Sequence, residues 1–116
     1  MQEEAGYACA HSAFEDGIMD GAAVIIPNDN AAMGLMKAAR ELGRQAGRDF
    51  FLVSFDNSIP SRSLDITSVS PPLEHMGEEA ARLVLSALHN RKFDMQVILR
   101  SRLIPRGSSG STNNAS

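Results

Sequence analysis

Two short polar groups are the places where this chain could do chemistry: Asn28-Asp29 and Asp56-Asn57. The first follows a continuous apolar run, Ala22–Ile26 (closed by Pro27), and the second a largely apolar segment, Phe50–Phe55, that reads as a buried strand. A carboxylate accepts hydrogen bonds from two hydroxyls at once, and a primary amide both donates and accepts, so the combination suits a polyhydroxylated ligand. The same residue types also cap helices and shape turns. Asp29 opens a helical pattern and reads first as a cap. Asp56 precedes a loop instead, and fits a turn role or a ligand contact equally.

No other group offers reactive spacing. His11, His75 and His89 fall on three separate elements and lack metal-ligand spacing, so no metal site is expected. Cys9 is the only cysteine. It cannot form an internal disulfide framework, has no partner for nucleophilic catalysis, and reads as a small buried residue. Gly107-Ser108-Ser109-Gly110 lacks the strand–turn–helix setting of a nucleophile elbow, and neither apolar run leads into a glycine-rich phosphate loop. The expectation is a protein with no catalytic residues, no cofactor and no enzymatic activity.

Bulk properties agree. A length of 116 residues, 43% of them apolar, suits one compact domain or a large piece of one. Net charge is −3 and the basic residues are scattered, so no stripe matches DNA phosphates. No apolar run approaches the roughly 20 residues that span a bilayer, and the acidic start Met1-Gln2-Glu3-Glu4 is not a secretory signal. A soluble, cytoplasmic protein without a membrane partner is expected.

The elements that must position the two polar groups follow from periodicity. Tyr7, Ala10 or His11, Phe14 and Ile18 recur at helical spacing from Glu3 to about Asp16. Ala22–Ile26 and Phe50–Phe55 lack alternation, the pattern of strands covered on both faces. Between them, Ala31–Leu42 aligns Ala32, Leu35, Met36, Ala39 and Leu42, and Gly34 inside that helix implies close packing against the sheet or another helix. A polar loop is expected through Pro60 to Asp65, then a short extended piece Ile66–Val69, and a break at Pro71-Pro72. Leu73–Leu88 carries a stripe of Leu73, Met76, Ala80, Leu83, Val84, Ala87 and Leu88, and Gln96–Ile104 reads as a final strand. From Gly107 onward the composition argues for a disordered tail, 107–116. Alternating helices and short apolar strands give an α/β fold class: a parallel sheet with helices on both faces. In such sheets ligands bind beyond the carboxyl ends of the strands, where both polar groups fall.

Five segments in order resemble one family. They are Ile26-Pro27-Asn28-Asp29-Asn30-Ala31-Ala32-Met33-Gly34, Phe51-Leu52-Val53-Ser54-Phe55-Asp56-Asn57, Thr67-Ser68-Val69, Met76-Gly77-Glu78-Glu79-Ala80-Ala81-Arg82-Leu83, and Arg102-Leu103-Ile104-Pro105-Arg106-Gly107-Ser108. Together they resemble the lactose/galactose-repressor (LacI/GalR) family of bacterial transcription regulators over nearly the whole chain except the tail. The resemblance implies part of a periplasmic-binding-protein-like (type I) two-lobed effector-binding domain. Residues 1–69 would be part of the C-terminal lobe, 70–95 a crossover and helix of the N-terminal lobe, and 96–106 a strand returning to the C-terminal lobe.

It further implies that Asn28 and Asp56 contact a small polar effector, sugar-like, and that Met33, Met36, Lys37, Pro60 and Leu64 belong to a homodimer surface. DNA would be reached only through a helix-turn-helix headpiece absent from this chain. Ser54 stands where a glycine is usual. Pro71 stands where many members carry an effector-touching glutamine, which puts that contact in doubt. The alternative from the same fold is a fragment of a periplasmic sugar-binding protein of a transport system. Apolar surface left open by absent strands is expected to drive dimerisation or swapping.

Overall fold

The computed structural model describes residues 2–92 and 96–110. The chain forms α1 (Gln2–Glu15), β1 (Ala23–Ile25), α2 (Asp29–Glu41), β2 (Phe51–Phe55), α3 (Ile59–Ser63), β3 (Thr67–Ser70), α4 (Leu73–Leu88), β4 (Arg102–Ile104) and a closing 3-10 turn, Gly107–Ser109. It divides into two compact units. One contains the residues up to Ser70 and those from Leu103 onward; the other is Pro71–Arg102.

In the first unit the sheet order is β1-β2-β3-β4. β1 runs parallel to β2 with Val24 opposite Leu52, and β2 runs parallel to β3 with Ser54 opposite Ser68. Alternation along β2 buries Leu52 and Ser54, while Phe51 and Phe55 are 38% and 39% exposed. The buried core joins Ala10 and Phe14 of α1 to Ala32, Leu35, Ala38 and Ala39 of α2, and to Phe50, Leu52 and Ile66 at the sheet. Phe14 meets Phe50 edge-on, with ring centroids 5.2 Å apart. Full burial of Phe50, Leu52 and Ile66 contributes about 1.5–3 kcal/mol each.

Gly34 does pack closely, and its neighbour is α1: a methyl group there would lie 1.9 Å from the Glu3 carbonyl oxygen.

Several sequence expectations change. The apolar runs are covered on one face, not two; Ile25 is 75% exposed. The loop at Pro60 is one turn of helix, α3, because proline's fixed φ suits the first helical positions. The last strand is confined to Arg102–Ile104. Cys9 is exposed, on the outer side of α1. Gly107–Ser109 is an ordered turn, and Ser108 is 2% exposed; residues 111–116 of the expected tail lie outside the described residues.

The Ser108 hydroxyl accepts from Thr67 N–H (2.8 Å) and donates to the Leu52 carbonyl (2.6 Å), so it bridges β2 and β3 where their ladder opens. Ser108→Ala leaves both backbone groups buried without that partner, and is expected to lower stability by about 1–3 kcal/mol in a chemical-denaturation measurement.

The second unit is α4 with its flanking segments. None of the described residues of α4 is buried; Leu73, Val84 and Leu88 of the expected stripe are 66%, 58% and 72% exposed. Periodicity identifies the side a helix would bury, and the described residues do not bury it. Glu79 holds Arg82 at 3.3 Å and His75 at 3.6 Å on its surface.

Candidate functional site

β1 and β2 are neighbouring parallel strands, so their carboxyl ends deliver Asn28 and Asp56 to the same edge of the sheet. Asn28 is the N-cap of α2: its side-chain oxygen accepts from Ala31 N–H at 2.8 Å. That leaves its amide nitrogen without a partner among the described residues, so toward a ligand Asn28 is chiefly a donor. Asp56 is exposed, and its carboxylate meets no donor among the described residues. Its backbone has φ 108°, and Asn57 follows at 53°. Two consecutive left-handed residues reverse the chain directly after β2, a conformation Asp and Asn tolerate better than other side chains.

Asp29 plays neither of its expected parts. It is the first residue of α2, not the cap, and it is 1% exposed. One carboxylate oxygen accepts from the backbone N–H and the hydroxyl of Ser58, both at 2.7 Å; the other accepts from the Ser68 hydroxyl at 3.2 Å. Burial alone would push this carboxyl up. The hydrogen bonds from Ser58, with the hydroxyls of Ser54 and Ser61 nearby, outweigh it and hold Asp29 below its ordinary value. A buried carboxylate therefore ties together the ends of β1, β2 and β3.

Ser54, fully buried on β2, is part of this cluster. These serines were readable only as inward-facing hydroxyls on strands next to a buried acid. Sequence spacing by itself does not single them out.

Asn57 anchors the same loop from the other side. Its backbone N–H donates to the Ser68 hydroxyl (2.9 Å), its amide nitrogen to the Ser70 hydroxyl (3.2 Å), and its amide oxygen accepts from the Arg106 guanidinium (2.7 Å).

Of the residues expected on a dimer surface, Met36 and Leu64 come together. They line one depression of about 340 Å³ with Ala39, Arg40, Arg44 and Asp65. Lys37 is turned elsewhere, with its ammonium 5.3 Å from the Tyr7 ring. Met33 and Pro60 are half-buried. Among the described residues, no group of His, Cys, Asp or Glu could hold a metal ion, and no helix is long and apolar enough to cross a membrane.

Residues 2–109 match the periplasmic binding protein-like domain, which defines the class of protein: an α/β domain with a mostly parallel sheet. Among curated relatives, the HTH-type transcriptional repressor MelR of Bacillus subtilis is 34% identical over 109 residues, 92% of this chain and 31% of the relative. A LacI-family transcriptional regulatory protein from Corynebacterium glutamicum superposes with a TM-score of 0.78 at 28% identity, covering 95% of this chain and 43% of that one. The Lac repressor bound to ONPG superposes with a TM-score of 0.83 at 21% identity, covering 92% of this chain and 33% of that one, a likeness of fold. The chain belongs to the periplasmic binding protein-like family, and the curated relatives it resembles include HTH-type transcriptional repressors. It spans about a third of the length of the curated relatives it matches.

Proposed function

We propose that this chain is the effector-sensing part of a cytoplasmic transcription repressor, and that its ligand is a small neutral polyhydroxylated metabolite of the sugar class. The observation that carries the reading is the pairing, at the ends of adjacent parallel strands, of an exposed Asp56 carboxylate and an Asn28 amide donor that have no partner among the described residues. Asp56 accepts from two ligand hydroxyls; Asn28 donates to a third oxygen. Because the chain covers about a third of its HTH-type relatives, operator binding falls to a headpiece outside it. In this reading residues 1–69 act as part of one lobe, 70–95 reach the other lobe and 96–106 return. Met33, Met36, Lys37, Pro60 and Leu64 face a second copy of the protein.

The test is ligand-induced thermal stabilisation of the full-length protein against a panel of neutral mono- and disaccharides. At least one sugar should raise the melting temperature. Asp56→Ala should weaken that binding on the order of 10–100-fold, since hydrogen bonds to a charged group are worth about 1.5–3 kcal/mol. Operator affinity without sugar should be unchanged. Equal binding by the wild type and Asp56→Ala removes Asp56 from the site.

A further inference from the structure

The loop after β2 is joined to two other places in the chain, and both stand where the chain leaves and re-enters the first unit. Ser70 is the last residue before Pro71–Arg102, and Arg106 comes two residues after β4. The Asn57 side chain bonds both: its nitrogen donates to Ser70 Oγ, and its oxygen accepts from Arg106 Nη2.

Arg106 is itself fixed from three directions. Its other terminal nitrogen donates to the Ile66 carbonyl (2.7 Å), its backbone N–H donates to Thr67 Oγ1 (2.7 Å), and its own carbonyl accepts from Thr67 Oγ1 (3.1 Å). Asp56 shares this frame through its backbone N–H, which donates to the Val69 carbonyl at 2.9 Å. Both residues hold left-handed backbone, a conformation that persists only where its surroundings over-determine it.

We infer that Asn57 is a positioning residue that couples ligand contact at Asp56 to the two segments by which the chain leaves and re-enters the unit, an inference that rests on the sensing role proposed above. The half-buried Asn57 amide is engaged at both its nitrogen and its oxygen within the unit, so its role does not require it to touch the ligand. A ligand that pulls on Asp56 shifts the adjoining peptide. Asn57 cannot follow without loosening Ser70 or Arg106, and either change alters the exit or the return of the chain. A ligand moves a conformational balance only through differential affinity for its states, and these two bonds give that difference a physical route.

The experiment uses the full-length protein and, as probe, the panel saccharide that stabilises the wild type most. Titration calorimetry reads saccharide affinity; operator affinity with and without saccharide reads the coupling. Asn57→Ala should change saccharide affinity by no more than about threefold while reducing the saccharide-dependent change in operator affinity by about tenfold, within the usual span of allosteric coupling. Asn57→Asp should retain the coupling, because a carboxylate accepts from Arg106 and the Ser70 hydroxyl can turn to donate. Ser70→Ala, which removes one bond and leaves the fold's other ties, should give an intermediate loss.

An intact coupling in Asn57→Ala, or equal loss in Asn57→Ala and Asn57→Asp, overturns the inference while the sensing role stands. A wild type that binds no panel saccharide, or whose operator affinity ignores it, overturns the sensing role and this coupling with it.

Discussion

Asp29→Ala is expected to destabilise the first unit by about 3 kcal/mol or more, a shift on the order of 10–20 °C in melting temperature for a domain of this size. The reason is arithmetic of donors. The Ser58 N–H, the Ser58 hydroxyl and the Ser68 hydroxyl all end on this one buried side chain, and alanine leaves a cavity with no acceptor in it. Asp29→Asn should cost only about 1 kcal/mol. The amide oxygen replaces the carboxylate oxygen that faces Ser58, and the amide nitrogen can donate to the Ser68 hydroxyl in place of accepting from it. Chemical denaturation of the two variants separates hydrogen bonding from charge: if asparagine is as damaging as alanine, the negative charge itself is what the cluster requires.

The same pair of proteins carries a pH signature. The folded-state value of Asp29 lies below its ordinary value of 3.8. The carboxylate therefore contributes stability that is fully present above the ordinary value and is lost as pH falls through the depressed folded value. Asp29→Asn has no such proton to take up. The stability difference between wild type and Asp29→Asn should be constant from neutral pH to about 5 and should shrink in stronger acid. A difference that grows on acidification would mean that Asp29 is protonated more readily in the folded chain than in the unfolded one, which contradicts the hydrogen-bond pattern.

What the sequence makes legible, and what it does not, follows a physical division. The strand ends were legible because two apolar runs stop at polar residues, one of them against Pro27, and a parallel sheet places such ends together. The stripe of α2 and the tight approach at Gly34 were legible for the same reason: both are local patterns.

Asp29 was not. Its partners stand 29 and 39 positions away, and only the closing of the sheet brings them to it. The sequence predicts a loop where α3 stands, because Ile59-Pro60-Ser61-Arg62-Ser63 carries no apolar repeat. Its single turn depends on Pro60 and on Ser58 being held at Asp29. The ordering of Ser108 and the inward role of Arg106 are likewise contacts across more than 35 positions, in a stretch whose glycine and serine content suggests nothing to bury. Cys9 and the stripe of α4 failed in the opposite direction. Each has the chemistry of a buried group, and periodicity cannot report whether the described residues supply the covering surface.

Gly34→Ala tests the packing between the first two helices, and its sign is the informative part. In an ordinary helix interior alanine is better than glycine by up to about 1 kcal/mol. Here the added carbon would lie 1.9 Å from the Glu3 carbonyl oxygen and 2.6 Å from the Tyr7 nitrogen, and a carbon added at Gly6 would in turn lie 2.2 Å from the Ala31 carbonyl oxygen. All of these obstacles are backbone, so no rotamer change relieves them; α1 has to move as a body, and with it Ala10 and Phe14 leave the core. The expected cost is about 2–4 kcal/mol, at or above the usual range for an overfilled interior. Gly77→Ala supplies the control, because Gly77 lies within α4 and, among the described residues, no neighbour outside its own helix comes inside 4 Å of the added carbon. That substitution should raise helix content and stabilise its segment by about 0.5–1 kcal/mol. Opposite signs for one and the same substitution, read by circular dichroism during thermal unfolding, would establish that Gly34 is set by contact between helices. A stabilising effect at both positions would show that α1 does not rest on α2 as closely as the backbone distances require.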